Sequence, residues 1–153
     1  MILVSACLVG LNCRYDGGNK FNKAIFDLVK NGQAILVCPE QLGGLKTPRK
    51  PSEIRVIDGK KKVITQDGVD VTLEYERGAN EVLKLAQQLG ITKVIFKSKS
   101  PACGCGIIYD GTFNNKKIVG NGITTELLIA NGIEVITDED YLLSLIHIWR
   151  CRR

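Results

Sequence analysis

The sequence predicts an α/β fold built around a mostly parallel sheet, and three observations carry that prediction. Four short apolar runs, at 2–6, 34–37, 93–97 and 133–136, have the length of buried strands. The segments between them place apolar residues at helical spacing, so strand and helix alternate as in parallel βαβ units. Loops rich in glycine, asparagine, proline or serine follow three of the strands directly.

The first strand, 2–6, ends at Cys7, and residues 10–19 read as an irregular loop. Asn22 is a helix N-cap, Ile25, Phe26, Leu28 and Val29 form the apolar face, and Asn31-Gly32 is the stop. The second strand, 34–37, runs into Cys38-Pro39-Glu40. Residues 41–66 hold Gly43-Gly44, Pro48 and Pro51, then two alternating runs about Asp58-Gly59. They read as a loop and a β-hairpin excursion from the main sheet. Helical spacing returns over 71–89 through Leu73, Val82, Leu83, Leu85, Ala86 and Leu89, and stops at Gly90. The third strand, 93–97, leads at once into Ser98-Lys99-Ser100-Pro101-Ala102-Cys103-Gly104. A Gly/Asn-rich loop over 109–122, a helix over 124–130 and the fourth strand complete the chain. The expected whole is a small Rossmann-like sandwich of about four strands with a hairpin, one domain over 1–142.

The 153 residues, 44% hydrophobic and 24% charged, suit one soluble globular domain. No apolar run reaches the roughly 20 residues that span a bilayer. The N-terminus lacks the basic region of a secretory leader, so a cytoplasmic protein without a membrane partner is expected. Residues 143–153, LSLIHIWRCRR, stand apart in composition and resemble the translation of a sequencing adapter. They are set aside as a non-native tail. Without that tail's three arginines the net charge of +5 falls to +2, too little to argue for a nucleic-acid surface. The tail also holds the only histidine, His147. A body without histidine excludes the Ser-His-Asp triad, the Cys-His dyad and the HExxH zinc helix. Thiolates, carboxylates, hydroxyls and lysines remain.

Five cysteines are left: Cys7, Cys13, Cys38, Cys103 and Cys105. In an open parallel sheet, ligands sit beyond the carboxyl ends of the strands, near the point where strand order reverses. Cys7, Cys38 and Cys103 each follow a different predicted strand, and Cys13 lies in the loop after the first. Parallel strands therefore bring four thiols to one edge. A disulfide framework is disfavoured, because nothing marks the chain as secreted and five cysteines cannot all pair. Buried structural thiols are one reading, since free cysteine is often buried. Structural zinc favours paired CxxC spacing, and Cys103-Gly104-Cys105 is too tight for that knuckle. A three-thiolate site instead suits an iron–sulfur centre with one iron open for chemistry.

A series of motifs then occurs in order: Ser5-Ala6-Cys7-Leu8-Val9-Gly10, Asn12-Cys13-Arg14-Tyr15-Asp16-Gly17, Cys38-Pro39-Glu40-Gln41-Leu42-Gly43-Gly44 and Thr47-Pro48-Arg49. Gly68-Val69-Asp70-Val71-Thr72, Ser100-Pro101-Ala102-Cys103-Gly104, Ile108-Tyr109-Asp110-Gly111-Thr112-Phe113 and Gly120-Asn121-Gly122-Ile123-Thr124 continue it. Together they resemble the bacterial thiouracil desulfidases (TudS), over nearly the whole chain up to about residue 140.

The resemblance implies an oxygen-sensitive [4Fe-4S] cluster with one open iron site, held by three of Cys7, Cys13, Cys38 and Cys103. Cys7, Cys13 and Cys103 are the favoured ligands, with Cys38-Pro39-Glu40 serving to aim Glu40. It also implies removal of sulfur from 2- or 4-thiouracil compounds, with 4-thiouridine monophosphate preferred, releasing hydrogen sulfide without net redox change. Glu40 corresponds to the catalytic carboxylate, which directs water at the carbon bearing sulfur. Ser100 corresponds to the serine that relays a proton, with Ser98 its rival in the same loop. Arg49, Arg14 and Lys97 are candidates for a substrate phosphate. Cys105 departs from the family pattern as a spectator or an extra sulfur near the cluster. The expected partner is a small thiolated pyrimidine, with no nucleic acid; no oligomeric state is assigned. A non-catalytic iron–sulfur or zinc-binding module is the alternative.

Overall fold

A computed structural model describes residues 1–151, with side chains through residue 147. Arg152 and Arg153 of the tail lie outside the described residues. The element order is β1 (Ile2–Ser5), a 3-10 turn (Ala6–Val9), α1 (Lys23–Lys30), β2 (Ala34–Val37), α2 (Pro39–Leu42), β3 (Ser52–Ile57) and β4 (Lys60–Thr65). It continues with α3 (Thr72–Gln88), β5 (Lys93–Phe96), β6 (Ile107–Tyr109), β7 (Lys117–Val119), α4 (Ile123–Ala130), β8 (Glu134–Thr137) and α5 (Asp138–Cys151).

Four strands form one parallel sheet in the order β2-β1-β5-β8. Side chains alternate across it, as a period of two requires. Leu3, Val94, Phe96 and Val135 face a core shared with Val82, Ala86 and Leu128 of α3 and α4. Val4, Ile95 and Ala34 face a second core shared with Ile25 of α1 and Tyr141 of α5. Helices thus cover both faces, and the strand centres are apolar because they are buried on both sides, while Leu36 and Glu134 reach solvent on the outer strands. The α/β expectation holds in its essentials.

Local signals held where their chemistry is local. The Asn22 side chain accepts from Ile25 N and starts α1. The β3–β4 hairpin turns at Asp58-Gly59, with φ of 52° and 75°, the left-handed pair of a two-residue turn. Three details differ. The first strand stops at Ser5, because the backbone coils back through Leu11 N to Ala6 O at 3.3 Å. Residues 107–119, expected as irregular from 109, contain the β6–β7 hairpin, whose three-residue strands are too short to show alternation. The short helix α2 starts at Pro39, which suits a first helical position.

That short helix is pressed backbone to backbone against α3. A Cβ on Gly43 would meet Glu74 O at 1.9 Å, and one on Gly78 would meet Pro39 O at 1.9 Å. Gly43 therefore serves helix packing. The reversal of strand order falls between β1 and β5, and β1, β2 and β5 deliver their C-terminal loops to one edge there. Among the described residues no helix is long and apolar enough to cross a membrane. The helix α5 continues through 143–147, where Leu143 and Ile146 are exposed.

Candidate functional site

At that edge lies a cavity of about 520 Å³. Its walls include Cys7, Cys13, Cys38 and Cys103, together with Glu40, Ser98, Ser100, Arg14, Arg49 and Lys97, so every predicted site residue reaches one space. The size is ordinary for a pocket that encloses a small organic ligand. Cys105 does not line it; its thiol donates to Val135 O at 3.5 Å, beside β8.

The four thiols come from four stretches of chain. Cys7 sits in the turn after β1, Cys13 in the loop beyond it, Cys38 just after β2 and Cys103 in the turn after β5. Cys7, Cys13 and Cys103 are buried and Cys38 partly so, and all four are free thiols. Cys13, Cys38 and Cys103 are each shifted by their surroundings. For Cys13 the bond with Cys38 favours the thiolate, but the bond with Cys7 and burial outweigh it, and the thiol is pushed up to about 11. The Cys38 thiol is raised by its bond with Cys13 and then by burial. Burial raises Cys103 well above the ordinary thiol range, against a lowering bond with Ser5 and with added repulsion from Cys38, Glu40 and Cys13.

Crowded thiols of this kind resist ionisation unless positive charge sits among them, and a metal centre supplies that charge. Among the described residues, no three His, Cys, Asp or Glu groups are placed to hold a metal ion. A single ion gathers its donors within about 2.3 Å of itself, whereas the separate irons of a cluster accept thiolates that stand apart. The donor set, all sulfur and drawn from distant loops, fits an iron–sulfur cluster.

Around the thiols the polar groups have distinct roles. Ser100 Oγ accepts from Ala102 N and Cys103 N, both at 3.1 Å, and so shapes the turn that carries Cys103. Thr125 Oγ1, fully buried, donates to Cys103 O at 2.9 Å. A Cβ on Gly122 would meet Ala102 O at 2.5 Å, so only glycine lets α4 start against this turn. Ser98 is engaged elsewhere. Its Oγ accepts from Lys97 Nζ at 2.8 Å and donates to Glu139 Oε1 at 3.2 Å.

Glu40 occupies the first turn of α2 and faces Arg49, with only 15% and 11% of their side chains exposed. Arg49 Nε donates to Glu40 Oε2 at 2.7 Å, and its Nη2 pairs with the same oxygen. Nη1 donates to Lys46 O at 3.1 Å and Thr47 Oγ1 at 3.0 Å, and Nη2 to Cys13 O at 2.9 Å. A guanidinium has five N–H groups, so Arg49 has none left for a substrate phosphate. The candidacy drawn from sequence is corrected for that residue. Lys97 is also drawn inward, by Ser98 and by an ion pair with Asp138 at 3.7 Å. Arg14 pairs loosely with Asp16 at 3.8 Å.

Sequence reasoning missed Tyr75, Ser5, Lys20 and Lys50 in the cavity wall. Tyr75, in the first turn of α3, is buried, and its phenol is raised mainly by burial and also by the Glu40 carboxylate it faces. Its place on the helical stripe of Ala79, Val82 and Ala86 was a usable signal, because a tyrosine on a buried face needs a polar partner for its hydroxyl. Ser5 Oγ accepts from Lys97 N at 2.9 Å and so joins β1 to the loop after β5.

The fold and the site define a class: an α/β domain with a cluster of buried thiols at the switch point of its parallel sheet, flanked by a carboxylate and a hydroxyl. The model of the 2-thiouracil desulfurase family matches residues 2–140, and the chain belongs to that family. It is 44% identical over 146 residues to YbbK, an uncharacterised protein of Bacillus subtilis (strain 168), covering 92% of this chain and 97% of that one. Among solved structures it is similar to the [4Fe-4S]-dependent thiouracil desulfidase TudS. The TM-score is 0.83 and the identity 42%, with coverage of 94% of this chain and 97% of the other.

Proposed function

We propose that this protein is an iron–sulfur-dependent desulfidase that removes sulfur from thiouracil compounds. The observation that carries this reading is the convergence of four thiols, Glu40 and Ser100 on one cavity in a chain of this family. Cys7, Cys13 and Cys103 hold the cluster, and Cys38 stands beside Cys13 as the fourth thiol. When bound there with one iron free of protein thiolate, the cluster supplies a Lewis-acidic site for the substrate's sulfur.

The chain's own residues do the rest. Glu40 orients a water and takes its proton, and the ion pair with Arg49 holds the carboxylate in place for that work. Ser100 already accepts two backbone N–H bonds at Oγ, so its own proton is left to donate into the cavity. Tyr75, buried in the same cavity wall, faces Glu40 and offers its hydroxyl as a polar neighbour to the carboxylate. The reaction is thus a hydrolytic C–S cleavage giving the uracil compound and hydrogen sulfide. A nucleotide such as 4-thiouridine monophosphate places its phosphate against Arg14, Lys20 and Lys50 on the cavity wall. Five free thiols among the described residues suit the reducing cytoplasm.

Anaerobic reconstitution with iron and sulfide quantitation, followed by loss of the thiouracil chromophore alongside sulfide release, tests the proposal. Cluster incorporation with turnover is expected. A loaded protein that leaves the chromophore intact refutes the enzymatic reading, and a colourless zinc protein refutes the cofactor as well.

A further inference from the structure

We infer that Arg49 is a positioning residue that locks the Cys13 loop and the Glu40 carboxylate into one rigid unit. Residues 10–19 contain no helix or strand; bonds within the loop, such as Cys13 N to Leu11 O at 2.9 Å, shape it locally, and bonds from outside set where it stands relative to Glu40. Arg49 makes two of them: its guanidinium donates to Cys13 O at 2.9 Å and its backbone N donates to Tyr15 O at 2.8 Å. The same guanidinium plane holds Glu40 Oε2 through Nε, and it is braced by Thr47 Oγ1 and Lys46 O. A planar fork fixes both the distance and the angle between its acceptors, which a lysine ammonium does not do. With 11% of the side chain exposed, water does not compete effectively for these bonds.

The side chain therefore ties the carbonyl of Cys13 directly to the carboxylate, while the backbone bond to Tyr15 O holds the same loop from residue 49 whatever its side chain. The inference rests on the reading of Cys13 as a cluster ligand and Glu40 as the base. Arg49 touches neither substrate nor reacting atoms in this scheme and acts only through the two groups it joins.

The test uses the loaded protein with two readouts: turnover, and the rate at which an iron chelator strips the cluster. Arg49→Lys is expected to lower kcat by about 100-fold, the scale of a misplaced catalytic group, with little change in KM. Chelator-driven iron loss is expected to quicken several-fold. In a Glu40→Gln background the added Arg49→Lys is expected to cost less turnover than it does alone, while iron loss quickens as before. Wild-type turnover and iron retention in Arg49→Lys, or turnover losses that simply add, overturn the inference. Wild-type turnover in Glu40→Gln alone overturns the base assignment and the coupling with it. That result is distinct from failure of the clamp, in which Glu40→Gln is inactive and Arg49→Lys active. Should Arg49→Lys not yield a cooperatively melting protein, Thr47→Val removes one acceptor of Nη1 and leaves the ion pair. A smaller loss in both readouts is then expected, and no loss in either overturns the inference.

Discussion

Replacing Glu40 by glutamine separates chemistry from architecture. The amide keeps an oxygen where Arg49 Nε donates at 2.7 Å, so the shape of the site is retained while the charge is lost. Losing a largely buried charge-assisted bond costs about 1.5–3 kcal/mol. Arg49 keeps acceptors on Cys13, Lys46 and Thr47, which holds the cost towards the lower end of that range. In a domain of this size each kcal/mol lowers the melting temperature by about 2–4 °C, so a fall of about 3–8 °C is expected. Turnover should fall far more, by about 100- to 10,000-fold, as loss of a general base does. The assay pairs a thermal melt and iron quantitation with a chromophore-loss measurement on the same sample. Loss of iron in the variant would show that Glu40 serves the cluster rather than water. Near-native turnover with iron intact would remove the base from the scheme.

Other outcomes follow from the same structure. Gly43→Ala puts a Cβ where Glu74 O already stands, so α2 must move off α3; about 1–3 kcal/mol of stability and much of the activity should be lost, read by thermal melts and turnover. Cys103→Ala should abolish iron binding, whereas Cys105→Ala, whose sulfur faces Val135 O outside the cavity, should leave iron content unchanged. The pH dependence of the cofactor-free protein has a definite sign. Cys13 is raised from 9.0 to about 11, so the fold binds its proton more tightly than the unfolded chain does. That contribution is fully present below about pH 9 and is lost as pH rises through 11, and the raised thiols of Cys38 and Cys103 act in the same direction. Melting temperature measured across that window should fall with pH and recover part of its height in Cys13→Ala.

The sequence by itself determined the alternation of strand and helix, the Asn22 cap and the Asp58-Gly59 turn. Each is written in neighbouring residues: burial on both faces makes a continuous apolar run, and special dihedrals call for Asn, Asp or Gly. It also determined that Cys7, Cys38 and Cys103 follow strands, and parallel strands must then bring them to one edge. Only the tertiary structure decided what the polar residues do there. Arg49 in a proline-flanked loop read as a free cation and is in fact saturated by Cys13, Glu40, Lys46 and Thr47. Gly43 read as part of a loop and is a packing contact with α3, while Ser98 and Ser100, alike in sequence, differ in whether the hydroxyl is tied to a lysine and a carboxylate. Hydrogen-bond saturation and backbone approach depend on atoms brought together from far apart in the chain, and no local pattern of residues encodes them.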